Sequence, residues 1–439
     1  MPTPNTINSG DTAFVLLCTA LVLFMTPGLA FFYGGLVRGK NMVNTLLMSF
    51  IAVAIVGVQW VLIGYSLSFA PGSFLLGSLR WFGLEGVGGD PYPDLAATIP
   101  HSAFMLFQAM FAVITPALIS GAVVERVKFK SWMIFLAVWS TLVYAPICHW
   151  VWAPDGWLHN LGALDFAGGT VVHISAGIAA LIAAIMVGPR LGHPKLSPRP
   201  HNVPFCLLGA GLLAFGWLGF NGGSALGANG LAATAFVTSF TAAAMAGLAW
   251  AGLEMYKHGR VTGVGVASGI VAGLVGITPA AGFVSPIAAL AIGLGAAGVS
   301  FAAVQMKSRF GYDDSLDVFG VHGMAGIFGA LATGVFASAA VNPAGANGLL
   351  HGNGMLVLKQ LAGIGATLAW SGVFSFAILK AIDVTVGLRV EKEAEQEGLD
   401  LAENGELAYG ESSGTVVTPV EEESVPVGAL KPAFAPSEF

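Results

Sequence analysis

Charge is what this sequence has least of. Only 10% of its 439 residues are Asp, Glu, Lys or Arg, against the quarter or so that a water-soluble domain uses to cover its surface. That shortage excludes a chain that keeps itself in water. Cysteine is scarce too. Cys18, Cys148 and Cys206 each sit inside an apolar run with no C-x-x-C spacing, so neither a disulfide framework nor a thiolate metal site is available, and they read as small core residues. The opening Met1-Pro2-Thr3-Pro4 lacks a basic n-region. The apolar run that follows is too long for a signal-peptide core, so it reads as a membrane helix. The net charge of −6 gathers in the C-terminal tail and does not mark a nucleic-acid partner.

What the sequence has in quantity is apolar and small. Hydrophobic residues make up 55% and glycine contributes 60 positions, with a mean hydropathy of +0.78. Small residues let helix backbones approach closely in lipid. A bilayer crossing needs roughly 20 apolar residues. Eleven segments qualify: 12–36, 42–69, 99–124, 131–153, 166–187, 204–221, 228–253, 262–278, 283–305, 318–340 and 356–380. Basic residues follow every odd-numbered span: Arg38 and Lys40; Arg126, Lys128 and Lys130; Arg190, Lys195 and Arg199; Lys257 and Arg260; Lys307 and Arg309. The alternate loops hold only Arg80 and Lys359. By the positive-inside rule the N-terminus lies outside and the C-terminus in the cytoplasm. The expected organisation is an external N-terminus (1–11), a membrane domain (12–380), a highly charged cytoplasmic tail (381–410) and an extension (411–439) whose Ser, Glu, Pro and Val content suggests disorder.

An internal repeat organises the spans. The fifth opens Asp165-Phe-Ala-Gly-Gly-Thr-Val-Val-His173-Ile-Ser-Ala176-Gly177-Ile178, and the tenth Asp314-Ser-Leu-Asp-Val-Phe-Gly-Val-His322-Gly-Met-Ala325-Gly326-Ile327. A weaker echo joins Phe32-Tyr33-Gly34-Gly35 to Phe220-Asn221-Gly222-Gly223. Five spans separate each pair, and an odd offset reverses direction. The reading is an all-α polytopic membrane protein in which spans 1–5 and 6–10 form an inverted repeat, plus a long eleventh helix. Such repeats place function near the midplane where their halves meet. Eight residues of α-helix carry each histidine roughly 12 Å beyond its aspartate, so both are expected near the centre of a core about 30 Å thick. An ionisable side chain there is a functional candidate. The plain alternative is two separate histidines, each satisfied by a backbone carbonyl. Two nitrogens are too few for zinc, and no nucleophile or cofactor loop accompanies them, so no metal, cofactor or enzymatic chemistry is expected.

The first-span stretch Pro27-Gly28-Leu29-Ala30-Phe31-Phe32-Tyr33-Gly34-Gly35-Leu36-Val37-Arg38-Gly39-Lys40-Asn41, the Asp165–His173 motif, Trp217-Leu-Gly-Phe220-Asn221-Gly-Gly-Ser224 and Asp317-Val-Phe-Gly-Val-His322-Gly resemble, in order and over about residues 12–410, the ammonium transporters of the Amt/Mep/Rh family, bacterial Amt type. The resemblance implies a homotrimer of eleven-helix subunits in the inner or plasma membrane, each with its own narrow pore. It implies that Trp152, Ser224 and Phe111 bind NH4+ in an outer vestibule with Asp165 nearby in support, that Phe111 and Phe220 form a gate, and that His173 and His322 line the lumen. Phe107-Gln108-x-x-Phe111 fits the same pattern. Read singly, Phe111 and Phe220 could be packing, Trp152 an interfacial aromatic, Asp165 an N-cap and Ser224 a packing residue. The segment from Asp383 through Gly387 and Arg389 to Tyr409 resembles the family's tail, on which a PII-type signal protein docks in bacterial relatives.

The chemistry favours separating the proton from its carrier. Moving a small cation into low dielectric costs on the order of 20 kcal/mol. A desolvated cation–π contact returns about 2 kcal/mol and a hydroxyl hydrogen bond about 1–2. The expectation is therefore neutral NH3 in the lumen and a proton passed along the histidines. The rivals are an ammonium sensor, which would be expected to carry a fused signalling domain, and an Rh-like neutral-gas or urea channel.

Overall fold

The computed structural model describes residues 6–195 and 199–409, with backbone only at Ser308; the extension 411–439 lies outside the described residues. Helices follow one another with no strand among the described residues. The spans are α1 (Ser9–Leu36), α2 (Gly39–Phe69), α3 (His101–Val123), α4 (129–152), α5 (Gly169–Val187), α6 (Val203–Gly223), α7 (Gly230–His258), α8 (Gly263–Ile277), α9 (Pro286–Phe310), α10 (Phe319–Phe336) and α11 (Met355–Thr385). Ten are long and apolar enough to cross a membrane, and α8, at 15 residues, is a shorter apolar helix.

Helix ends differ from the sequence boundaries by a few residues where a cap decides them. α1 starts at Ser9 because Asn8 accepts the Asp11 amide at 3.1 Å. Asn202, Asn229, Thr262 and Ser285 cap α6 to α9 in the same way. At the other extreme, α11 runs to Thr385, five residues past the expected end.

The two halves meet backbone to backbone. α1 and α6, first helices of the two repeats, pack along much of their length. A Cβ on Gly35 would fall 2.5 Å from the Cys206 amide nitrogen, and one on Gly209 would collide with the backbone of Phe32. Only glycine fits. Large apolar side chains such as Leu17, Phe240, Leu248, Ile287 and Val373 point outward and stay exposed, as a lipid-covered surface requires.

Three arginines of the basic loops, Arg38, Arg126 and Arg190, form a largely buried network. The guanidinium of Arg126, itself buried, donates to the carbonyls of Gly188 (2.7 Å), Ala122 (3.0 Å), Val124 (3.2 Å) and Asp313 (2.6 Å) and to the Ser315 hydroxyl (2.5 Å). Burial draws it down to about 10, so it stays charged at neutral pH. Arg190 bridges Asp313 at 2.8 Å and Glu125 at 3.2 Å, and Arg38 holds Glu125 at 2.9 Å. Burial pushes both carboxyls up, but these guanidiniums outweigh it and hold both below the ordinary range.

The tail to Ala408 belongs to the same compact unit as the helices. Lys128 donates its amide to the Leu388 carbonyl (2.9 Å), Ser131 its hydroxyl to the Gly387 carbonyl (2.6 Å), and Asn44 its amide to Asp400 (2.8 Å). Arg389 pairs with Glu395 at 2.6 Å, and Glu395 also accepts the Leu191 amide at 2.7 Å. Gly387 turns the chain at φ +80, open to glycine at little strain. Tyr409 is exposed and begins a second unit.

Candidate functional site

Two aspartates open the repeat-related helices. Asp165 Oδ1 accepts the amides of Gly168 (2.8 Å) and Gly169 (2.7 Å), and Oδ2 those of Thr170 (2.7 Å) and Val171 (3.2 Å). These are the donors a helix start leaves orphaned, and a carboxylate suits the positive end of the dipole. Asp314 does the same for Val318 (3.1 Å) and Phe319 (2.8 Å). Beyond each carboxylate the helix begins with a wide π-turn, Gly169–Ile174 or Phe319–Met324, that carries the histidine. Such turns recur at functional sites because they displace a side chain from the regular ladder. The eight-residue interval is thus not the straight α-helical rise expected from sequence.

Glycine brings the histidines together. A Cβ on Gly177 would collide with the Gly323 backbone, and one on Gly326 would lie 3.1 Å from His173 Cβ. α5 and α10 therefore cross in contact beside the two rings. His173 Nδ1 and His322 Nδ1 are 3.3 Å apart, with ring centroids at 5.3 Å and planes within 21°. One of the two nitrogens must carry a hydrogen and the other accept it. His173 Nε2 is buried with no hydrogen-bond partner among the described residues. The reading of two separately satisfied core histidines does not describe this pair.

Above them, towards the end opposite the basic loops, Phe111 and Phe220 close on each other with centroids 4.3 Å apart. Phe111 stands edge-on to Trp152 at 5.7 Å and 87°. Phe111, Trp152 and Ser224 line one cavity of about 260 Å³, together with Gln108, Asp94 and His159. The Trp152 indole N–H donates to the Asp165 carbonyl at 2.9 Å. The Ser224 hydroxyl donates to the Phe220 carbonyl at 2.9 Å, which leaves its oxygen free to accept. Asp165 does not line that cavity: both carboxylate oxygens serve helix amides, and its carbonyl anchors the indole.

Below Phe220 the space narrows to about 10 Å³, lined by His173 and His322 and otherwise by apolar side chains including Leu29, Ile114, Val172 and Leu213. That holds about one water-sized body. His322 and Phe32 also line a third cavity of about 390 Å³ at the basic end, with Arg190, Lys307 and Asp313. The narrow space shares Phe32 and His322 with the cavity at the basic end, and faces the upper cavity across the Phe111–Phe220 contact, Phe111 lining one and Phe220 the other. Sequence reasoning gave no role to Trp217, whose ring stacks on His173 at 5.4 Å and 20° and is fixed by an N–H bond to Thr278 at 2.9 Å. It stood inside a quoted motif, but nothing in one sequence told its ring from a packing residue. In the sequence Gln108 stands only within the Phe107-Gln108-x-x-Phe111 pattern, and Asp94 and His159 lie in stretches without a motif. Of the tail residues, Gly387 and Arg389 sit in the docked segment, away from these cavities.

Known proteins bear on this arrangement. The profile of the Ammonium Transporter Family matches residues 13–409. An ammonium transporter of Bacillus subtilis is 50% identical over 404 residues, 92% of this chain and 99% of that one. Among solved structures, Candida albicans Mep2 matches with a TM-score of 0.84 at 35% identity, covering 88% of each chain. A structure described as a sensor Amt protein matches with 0.82 at 29%, covering 90% of this chain and 98% of that one. The chain belongs to the ammonium transporter family and is a multi-pass membrane protein of transport rather than an enzyme.

Proposed function

We propose that this chain moves ammonium across the cell membrane by taking NH4+ apart at the Phe111/Phe220 constriction, sending NH3 through the lumen and the proton along His173 and His322. The single observation that carries this reading is the 3.3 Å contact between the two Nδ1 atoms inside a passage of about 10 Å³. A passage of that size has no room for a hydration shell. The bare ion would face most of the desolvation penalty, on the order of 20 kcal/mol, against only two weakly polar rings. Ammonia avoids that penalty, and potassium cannot, having no proton to lose.

In the vestibule the cation meets the Trp152 π-face and the free lone pair of Ser224. Asp165 acts indirectly, fixing the indole through its carbonyl and the start of α5 through its carboxylate. A proton delivered to His173 Nε2 can leave from His322 once the hydrogen shared between the Nδ1 atoms shifts across, because each imidazole both donates and accepts. His322 then releases it to the cavity at the basic end.

The orientation that fits is vestibule outside and basic end in the cytoplasm, as the loop charges direct. The subunits assemble as a homotrimer, each with its own pore. The tail, with Gly387 and Arg389 in its docked part and Tyr409 beyond it, receives a PII-type signal protein. A sensing role is the second reading, favoured by the likeness to the sensor Amt protein.

The test is ammonium-evoked current in proteoliposomes. The expected result is a saturable current in the wild type that is lost in His173→Ala and in the His173→Ala/His322→Ala double variant. An unchanged current in the double variant would refute the relay.

A further inference from the structure

The capture site of Trp152, Phe111 and Ser224 leaves two polar groups of the same cavity unused. Asp94 lines it and is exposed, and no described residue donates to its carboxylate or pairs with it. Gln108 lines it too. That side chain is only 8% exposed, yet its amide oxygen has no hydrogen-bond partner among the described residues. A buried acceptor without a donor is uncommon, because its lost hydration is otherwise uncompensated. A cation rich in N–H groups beside it supplies the missing donor.

Asp94 is not at the tip of a loose loop. The turn that carries it is closed by hydrogen bonds from the Leu95 and Ala96 amides to the Tyr92 carbonyl, at 3.0 and 2.9 Å. The Tyr92 ring stacks on His101 at 5.2 Å and stands edge-on to Trp81 at 5.1 Å. His101 Nε2 in turn meets the Tyr65 hydroxyl at 2.6 Å. An aromatic cluster at the head of α3 thus fixes the turn at the vestibule wall. Ammonium presents four N–H donors, and one hydroxyl oxygen and one indole face do not satisfy them.

We propose that Asp94 and Gln108 form an outer ammonium-binding station, the carboxylate supplying counter-charge and the amide oxygen a directional acceptor, and that this station sets the apparent affinity for ammonium. The inference rests on the transport reading above. It makes Asp94 a residue that loads the vestibule rather than one that drives passage. An exposed carboxylate acts at the strength of a screened surface charge, so its removal reads as a change in half-saturation and leaves the saturated rate alone.

The experiment is the concentration dependence of ammonium-evoked current for the full chain in proteoliposomes. Asp94→Asn is expected to raise the half-saturating ammonium concentration about fivefold at low salt with the saturating current unchanged. The difference should shrink as salt screens the carboxylate, and Asp94→Glu should restore wild-type behaviour. Gln108→Leu should raise half-saturation independently of salt. An Asp94→Asn protein with wild-type half-saturation, or one that loses saturating current alone, overturns the station. A wild-type chain that passes no ammonium current would remove the transport reading instead, so the two failures are distinguishable.

Discussion

Replacing Gly177 by alanine sets two physical effects against each other. In an isolated helix alanine is favoured over glycine by up to about 1 kcal/mol. In this bundle the new methyl would occupy the place of the Gly323 backbone. Restoring ordinary carbon–carbon contact requires α5 and α10 to part by about 1 Å at their crossing. Overpacking of this kind costs about 1–3 kcal/mol, so the net effect is destabilising. The consequence for the histidines is larger. Their Nδ1 atoms stand 3.3 Å apart, and another ~1 Å takes them beyond hydrogen-bond range. Gly177→Ala is expected to lower the thermal unfolding midpoint by a few degrees, read by tryptophan fluorescence in detergent. It is also expected to cut the ammonium-evoked proteoliposome current by about tenfold, as a broken relay would. Gly211→Ala is the control, since nothing lies within 4 Å of a Cβ at that position. A Gly177→Ala protein with wild-type current would refute the reasoning from helix crossing to proton path.

Two further outcomes follow from the carboxylates. Asp165→Asn keeps the shape but sets an NH2 group against helix amides that now meet an acceptor (2.7–3.2 Å). A loss of about 1–3 kcal/mol is expected, together with reduced transport as the disturbed start of α5 shifts the residue 165 carbonyl that holds Trp152; an unchanged unfolding midpoint would contradict the assignment. Acid should loosen the basic end, because Glu125 and Asp313 are held below their ordinary range by Arg38 and Arg190. A depressed folded pKa means the unfolded chain binds protons first. That stability is present above about pH 4 and drains away as pH falls further. A pH titration of unfolding should show this, and a midpoint flat from pH 6 down to 3 would rule it out.

Much of the architecture could be read without coordinates, because a bilayer leaves few choices. Apolar runs must be helices, and the recurrence of Val-His-x-x-Ala-Gly-Ile, which includes Gly177 and Gly326, announced the inverted halves. The role of that glycine was hidden, since a stripe of small residues looks alike wherever helices pack. The π-turns were invisible for a related reason. A one-residue widening leaves no mark on hydropathy, and a count at α-helical rise passes over it. Arg38, Arg126 and Arg190 were read as topology signals alone, because sequence shows a charge and not the carbonyls and carboxylates gathered around it. Asp165 shows the opposite case. The N-cap reading offered beside its support role describes its carboxylate, while the carbonyl that holds Trp152 belongs to a backbone no side-chain pattern reveals.

The glycine seam between α1 and α6 bears on how the molecule can move. Inverted repeats often work by rocking one half against the other, which needs an interface able to slide. Here the halves touch main chain to main chain, where a shift of even an ångström meets hard atoms. On the proposed reading, traffic then rests on small events, aromatic rings swinging aside and imidazoles trading a hydrogen. Motions of that size run in nanoseconds to microseconds rather than at the pace of a domain swing.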